Sequence, residues 1–141
     1  MKLRAIWAIL AANLVAAILL SFAGFLTVRY APWGHLATDA SKMSPQGLAV
    51  KYGDAAALLR RGLFVDLWIT GPIIAILTGL TSGAFYRRAD WRVSSLSTAV
   101  LIIFTVSTMN VVNISAALFY LLLSWMAMKL VGPGPAFRRQ H

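Results

Sequence analysis

Residues 94–131 read SSLSTAVLIIFTVSTMNVVNISAALFYLLLSWMAMKLV, 38 residues with no acid and with Lys129 as the only charge. As a single helix rising about 1.5 Å per residue, the stretch would be about 57 Å long, whereas the hydrocarbon core of a bilayer is about 30 Å thick. It is therefore predicted to fold back on itself. Neither Gly nor Pro interrupts it, so the reversal falls on Met109-Asn110-Val111-Val112-Asn113. There the two Asn residues tolerate left-handed backbone, and their amides can satisfy freed peptide groups. The result is a tight helical hairpin, with one span at about 93–109 and another at about 112–131.

Outside this stretch, two more apolar segments, about 6–28 and about 62–86, are each long enough for one crossing. The expected architecture is an all-α integral membrane protein of four transmembrane helices in one membrane domain, 1–141. An outer loop at about 29–61 carries short helical turns, and a basic tail occupies 132–141. The composition agrees: 60% of residues are hydrophobic and the mean hydropathy is +0.75, far from soluble globular domains. Met1-Lys2-Leu3-Arg4 ahead of the first apolar run resembles the start of a secretory signal. The run is too long for a signal core, however, so the first span is expected to be retained.

The net charge of +9 comes from thirteen Lys and Arg against four acids, all Asp. The basic residues gather at the ends of the spans, which favours anionic head groups over nucleic acid as their partner. With the N-terminus in the cytoplasm, Lys2, Arg4, Arg87, Arg88, Arg92, Lys129, Arg138 and Arg139 fall inside. Arg29, Lys42, Lys51, Arg60 and Arg61 fall outside, in one long loop where the charge rule has less force. Both termini are thus expected on the cytoplasmic face of a bacterial inner membrane, with Arg87, Arg88, Arg92, Arg138 and Arg139 against lipid head groups. Trp7, Tyr86, Trp91 and Trp125 would lie near the inner interface, and Tyr30, Trp33 and Trp68 near the outer one.

In the loop, Ala31-Pro32-Trp33-Gly34 is expected to end the first helix, and Ser44 followed by Pro45 to cap a short one. Asp54 is expected to cap Ala55–Arg61, with Gly62 as a hinge into the second span. Gly132-Pro133-Gly134-Pro135 should stop the last helix.

Polar residues within the spans are the functional candidates, because ionisable groups at membrane depth are costly. Asp66 is the only acid in any span; it would either pair with Arg29, Lys51 or a nearby arginine, or bind a proton or cation. Asn13 lies among Ala8, Ala12, Ala16 and Ala17, a spacing that lets another helix approach while the amide bonds across. Gly71-Pro72 predicts a kink, and Gly79 and Gly83 provide the small-residue spacing of tight helix contacts. Ser94, Thr98, Thr105 and Thr108 share a face of the third span, Asn110 lies in the turn, and Asn113, Ala117, Tyr120 and Ser124 repeat the pattern on the fourth. These residues would either glue helices together or line a narrow polar path.

Catalytic chemistry is not indicated. There is no cysteine for thiol or thiolate-metal chemistry, no Gly-rich phosphate loop and no nucleophile elbow. His35 and His141 lie outside the spans, which excludes a membrane bis-histidine haem, and His35 with Asp39 makes at most a weak metal site. No cofactor or metal is expected. The leading expectation is a small non-catalytic accessory, structural or assembly subunit of a larger inner-membrane complex. The alternative is a homo-oligomeric transporter or channel built on Asp66 and the polar stripes of the last two spans.

Overall fold

A computed structural model describes residues 3–107 and 111–131. All the regular structure among them is helical: α1 (Leu3–Tyr30), α2 (Leu36–Ala40), α3 (Pro45–Tyr52), α4 (Ala55–Val65), a π-helical turn (Asp66–Thr70), α5 (Gly71–Tyr86), α6 (Trp91–Ser97), α7 (Ala99–Val106) and α8 (Val111–Val131). Three helices are long and apolar enough to cross a membrane: α1, the unbroken run Ala55–Tyr86, and α8. They mark the chain as a multi-pass membrane protein. Of the reversal expected at 109–113, Met109 and Asn110 lie outside the described residues, as do Thr108 and the tail with Arg138 and Arg139, while Val111, Val112 and Asn113 already belong to α8.

The helical segments alternate in direction. Ala5 and Ala8 of α1 share a buried cluster with Val93 of α6 and Met128 of α8, and Tyr86 at the end of α5 packs against it. At the opposite end, Ala16, Ile74, Ala75, Leu101, Ala116 and Tyr120 form a second cluster. Arg4, Arg87, Arg88, Arg92 and Lys129 therefore collect at one end of the bundle, which we call the basic end, and the loop 31–54 sits at the other.

Small residues set the helix spacing. Ala5, Ala8, Ala12 and Ala16 are fully buried along one face of α1, which packs mainly on α5. Gly79 and Gly83 of α5 lie against the backbone of α8. A Cβ on Gly79 would come within 2.9 Å of the Ala127 methyl, and one on Gly83 within 3.0 Å of the Met128 carbonyl oxygen. The closest packing in the molecule is thus α5 against α8 rather than between the last two segments, which do pair but less extensively. Side chains at these contacts are too short to hold the backbones apart, which is how membrane helices gain dispersion energy without a hydrophobic drive.

The third segment departs from expectation. Instead of one helix at 93–109 it is two, broken at Thr98. The cause lies on α1. Asn13 accepts a hydrogen bond from the Val100 N–H at 3.0 Å and donates to the Leu96 carbonyl at 2.8 Å. Those two peptide groups are four residues apart and would bond each other in an uninterrupted α-helix. The carboxamide inserts into that link and satisfies both halves, a recognised cause of helix breaks. Thr98 turns its hydroxyl back onto the Ser94 carbonyl at 2.8 Å, and the Ser94 and Ser124 hydroxyls bond at 3.1 Å to join α6 to α8.

Gly62 is not a hinge. It sits inside the continuous α4, where the Trp33 indole lies flush against it; a Cβ there would be 2.6 Å from Trp33 Cδ1. Trp33 thus folds the start of the loop onto α4. Ser44 caps α3 by accepting from the Gly47 N–H at 3.2 Å, and Asp54 caps α4 by accepting from Ala57 N–H at 2.9 Å. Asp39 ties α2 to α3, accepting from Lys51 Nζ at 2.5 Å and from the Tyr52 hydroxyl. These bonds, Lys51 first and Tyr52 second, hold the Asp39 carboxyl below its usual range, while Asp39 pushes both the Lys51 ammonium and the Tyr52 phenol up.

Candidate functional site

The loop end of the bundle contains an open cavity of about 310 Å³ to which all four long segments contribute. Its walls are apolar residues of α1 and α7, and its polar groups are Asp66, Thr70, Thr105, Ser107, Asn113 and Tyr120. Four residues chosen separately from the sequence, Asp66, Thr105, Asn113 and Tyr120, therefore meet in one place. Asn13 and Arg29 do not join them. Asn13 is committed to the α6–α7 break, and Arg29 is exposed in the last turn of α1. Gly79, Gly83 and Ala12 lie in helix contacts away from the cavity; Ala16 packs in the core beside Tyr120.

The π-helical turn explains how Asp66 and Tyr120 come together. Pro72 has no N–H, so the carbonyls that precede it lose a donor. The Gly71 N–H reaches back five residues to the Asp66 carbonyl instead of four to Leu67. The Leu67 carbonyl is thereby freed. In the widened register its donor would be Pro72, which has none to give, and the Tyr120 hydroxyl supplies the bond instead. Gly71 makes room for this arrangement: a Cβ on it would lie 3.0 Å from Tyr120 Cε1 and closer still to the phenol oxygen. The kink predicted from Gly71-Pro72 is thus absorbed as a π turn within an unbroken helix, a feature common at functional sites.

Three of the four hydroxyls lining the cavity, those of Tyr120, Thr105 and Ser107, share one electrostatic property. Tyr120 donates to the Leu67 carbonyl, Thr105 to the Leu101 carbonyl at 2.8 Å, and Ser107 to the Phe104 carbonyl at 2.8 Å. With each proton committed to backbone, what these oxygens offer a guest is lone pairs. Asp66 adds a carboxylate that forms no salt bridge, since the Asp39–Lys51 pair is the only one among the described residues. These four groups therefore accept hydrogen bonds, and together they suit a cation or a strong donor. Among the described residues no three metal-ligating side chains come together, and Asp39, considered with His35 as a metal ligand, is bound to Lys51 and Tyr52 instead.

Sequence reasoning missed Thr70 and Ser107 at the cavity, and the bond that anchors Tyr120. Pro72 carried a usable signal, because a proline inside a span always frees carbonyls one turn earlier. Comparison with family models, with characterised proteins and with solved structures finds no match to this chain.

Proposed function

We propose that this is a small-cation-binding membrane protein, working as a homo-oligomeric transporter or channel, with Asp66 as the cation's counter-charge. The observation that carries this reading is the acceptor-rich lining of the loop-end cavity around an unpaired carboxylate. An isolated carboxylate at membrane depth is expensive unless something neutralises it, so such a residue is by default a functional candidate. Four crossings accompany the proposal, with α6 and α7 together forming the third. A broken segment is tolerated at depth where protein groups satisfy the freed backbone, and Asn13 does so here. The gathering of Arg4, Arg87, Arg88, Arg92 and Lys129 at one end favours both termini in the cytoplasm of a bacterial inner membrane.

The test is uptake of methylammonium, and separately of Na⁺, into liposomes carrying the purified protein, beside Asp66→Asn at equal reconstitution. Saturable flux in the parent and at least a tenfold loss in the variant, with unchanged size-exclusion behaviour, is the expected result. Equal flux in both would end the reading.

One observation favours the second reading, an accessory subunit of a larger complex. Trp7, Leu10, Leu14, Ile18, Phe22 and Phe25 form an apolar face along α1 that stays exposed among the described residues. Lipid covers such a face equally well, so the deciding result is native capture. Stoichiometric membrane partners, together with no flux from the isolated protein, would make it a subunit.

A further inference from the structure

A second hollow, of about 240 Å³, adjoins the Asp66 cavity and shares Leu63, Leu67 and Asn113 with it. Arg60, Phe64, Trp68 and Val112 line the second hollow alone. The shared residues make the two hollows neighbours along the line where α4 and the π turn meet the start of α8, and we call the pair a trough. One charge of each sign lines it, Asp66 in the first hollow and Arg60 in the second. Arg60 and Asp66 are six residues apart, about 9 Å along a helix axis and about 120° around it, and neither is in a salt bridge with a described residue. Between them the floor is apolar, and Leu63, Phe64 and Trp68 are exposed along its outer flank.

We propose that the trough binds a phosphoammonium zwitterion, with a primary ammonium at Asp66 and the phosphate at Arg60. This rests on the cation reading of Asp66 and adds the second charge. The guanidinium presents a planar fork of donors that matches phosphate oxygens bidentately, and it is the side chain best suited to a phosphate at a membrane surface. At the other end, the Asp66 carboxylate and the lone pairs of Thr105, Ser107 and Tyr120 want N–H donors. A primary ammonium supplies three, whereas a quaternary ammonium supplies none, so the site selects ethanolamine-type over choline-type groups. The exposed apolar flank gives acyl chains a way out of the trough if the zwitterion is a lipid head group. A free phosphoethanolamine would use the same two charges without that flank.

The experiment is native mass spectrometry of the protein released from nanodiscs containing phosphatidylglycerol with equal phosphatidylethanolamine and phosphatidylcholine. Soluble phosphoethanolamine is titrated in parallel by calorimetry in detergent. The ethanolamine lipid is expected to be retained at least tenfold over the choline lipid. Arg60→Gln and Asp66→Asn should each remove that preference, and Arg61→Gln, one residue along and outside both hollows, should preserve it. Retention of the lipid without binding of the soluble compound assigns the source to the membrane, and binding of both with equal affinity assigns it to the head group alone; either supports the site. Equal retention of the two lipids, or equal losses in Arg60→Gln and Arg61→Gln, overturns it. If those failures occur while Asp66→Asn still abolishes methylammonium flux, the zwitterion falls and the cation reading stands. If Asp66→Asn changes neither, both fall.

Discussion

The two ends of the bundle use the same helices in opposite ways. At the basic end, α5 and α8 touch backbone to backbone through Gly79 and Gly83, Ala5 and Ala8 are fully buried, and Ser94 and Ser124 spend their hydroxyls on each other. At the loop end the same two helices meet through Gly71 and Tyr120. There a full aromatic ring and a π turn stand between them, and a cavity of about 310 Å³ opens beside the contact. Small residues let helices close where polar groups can satisfy one another. A large residue bonded to a freed carbonyl holds them apart where acceptors are left facing a space. Position along the helix, rather than overall composition, decides which end can receive a guest.

If this contrast is right, the closed end should be the less forgiving. Gly79→Leu puts a branched side chain where even a Cβ meets the Ser124 carbonyl and the Ala127 methyl. It is expected to cost about 3 kcal/mol, the upper range for overpacking, read as a shift in the SDS-induced unfolding midpoint in mixed micelles. Gly83→Ala, whose nearest neighbours lie at 3.0 and 3.2 Å, should cost about 1 kcal/mol. Equal effects at the two glycines would mean that the α5–α8 distance is not set at Gly79.

The open end is sharpened by Tyr120→Phe. It leaves the Leu67 carbonyl without a donor and is expected to cost about 1–2 kcal/mol. Pro72→Ala returns the missing N–H in the position the π register needs. The double variant should therefore recover about 1 kcal/mol relative to the sum of the single changes, a coupling that a double-mutant cycle measures directly. Additive effects would mean that the tyrosine hydroxyl and the proline do not act on the same carbonyl.

What was legible in the sequence follows how local its cause is. Ser44 before Pro45 and Asp54 before three alanines act within one turn, and the structure shows both as caps. Three helices long enough to span follow from hydropathy alone. The break at Thr98 was invisible because its cause is Asn13, 87 residues from Val100. Nothing within 93–109 suggests an interruption, since no Gly or Pro occurs there. Gly62 read as a hinge because a glycine between Arg61 and an apolar run has that look; only the fold reveals that Trp33 needs its bare Cα. At the cavity, Asp66, Thr105, Asn113 and Tyr120 stood out singly by their chemistry. Their convergence depends on helix direction and on the π turn, and neither is written in spacing.

Asn13→Ala tests whether the broken segment belongs to the contrast between the ends. Removing the carboxamide frees the Leu96 carbonyl and the Val100 N–H to bond each other, so the loss is partly offset by helix closure. A cost of about 1 kcal/mol is expected, in the range of interhelical hydrogen bonds within membranes. Hydrogen exchange at Val100 reports which outcome prevails. Slow exchange means that α6 and α7 have merged into one helix, and fast exchange means that the break is held by Thr98 and its hydroxyl as well.

The smallest effect belongs to the loop clamp, and its pH dependence has a definite sign. Asp39 has a depressed folded pKa, so its contribution is present above the unfolded value, about 4, and is lost as pH falls through the folded one. Lys51 and Tyr52 have raised folded values, so theirs is present below about pH 10 and is lost as pH rises through the folded ones. The link between α2 and α3 should therefore be intact across the neutral range and open at both extremes. Exchange of the Lys42 and Met43 amides, which bond the Asp39 carbonyl at 3.0 and 2.8 Å, is the readout, after correction for the intrinsic pH dependence of exchange. Asp39→Asn keeps the shape and removes the charge, so protection in that variant should lose its fall at acid pH. If the fall persists unchanged, the α2–α3 link does not depend on the Asp39 carboxylate, and the loop rests instead on Trp33 packed against Gly62.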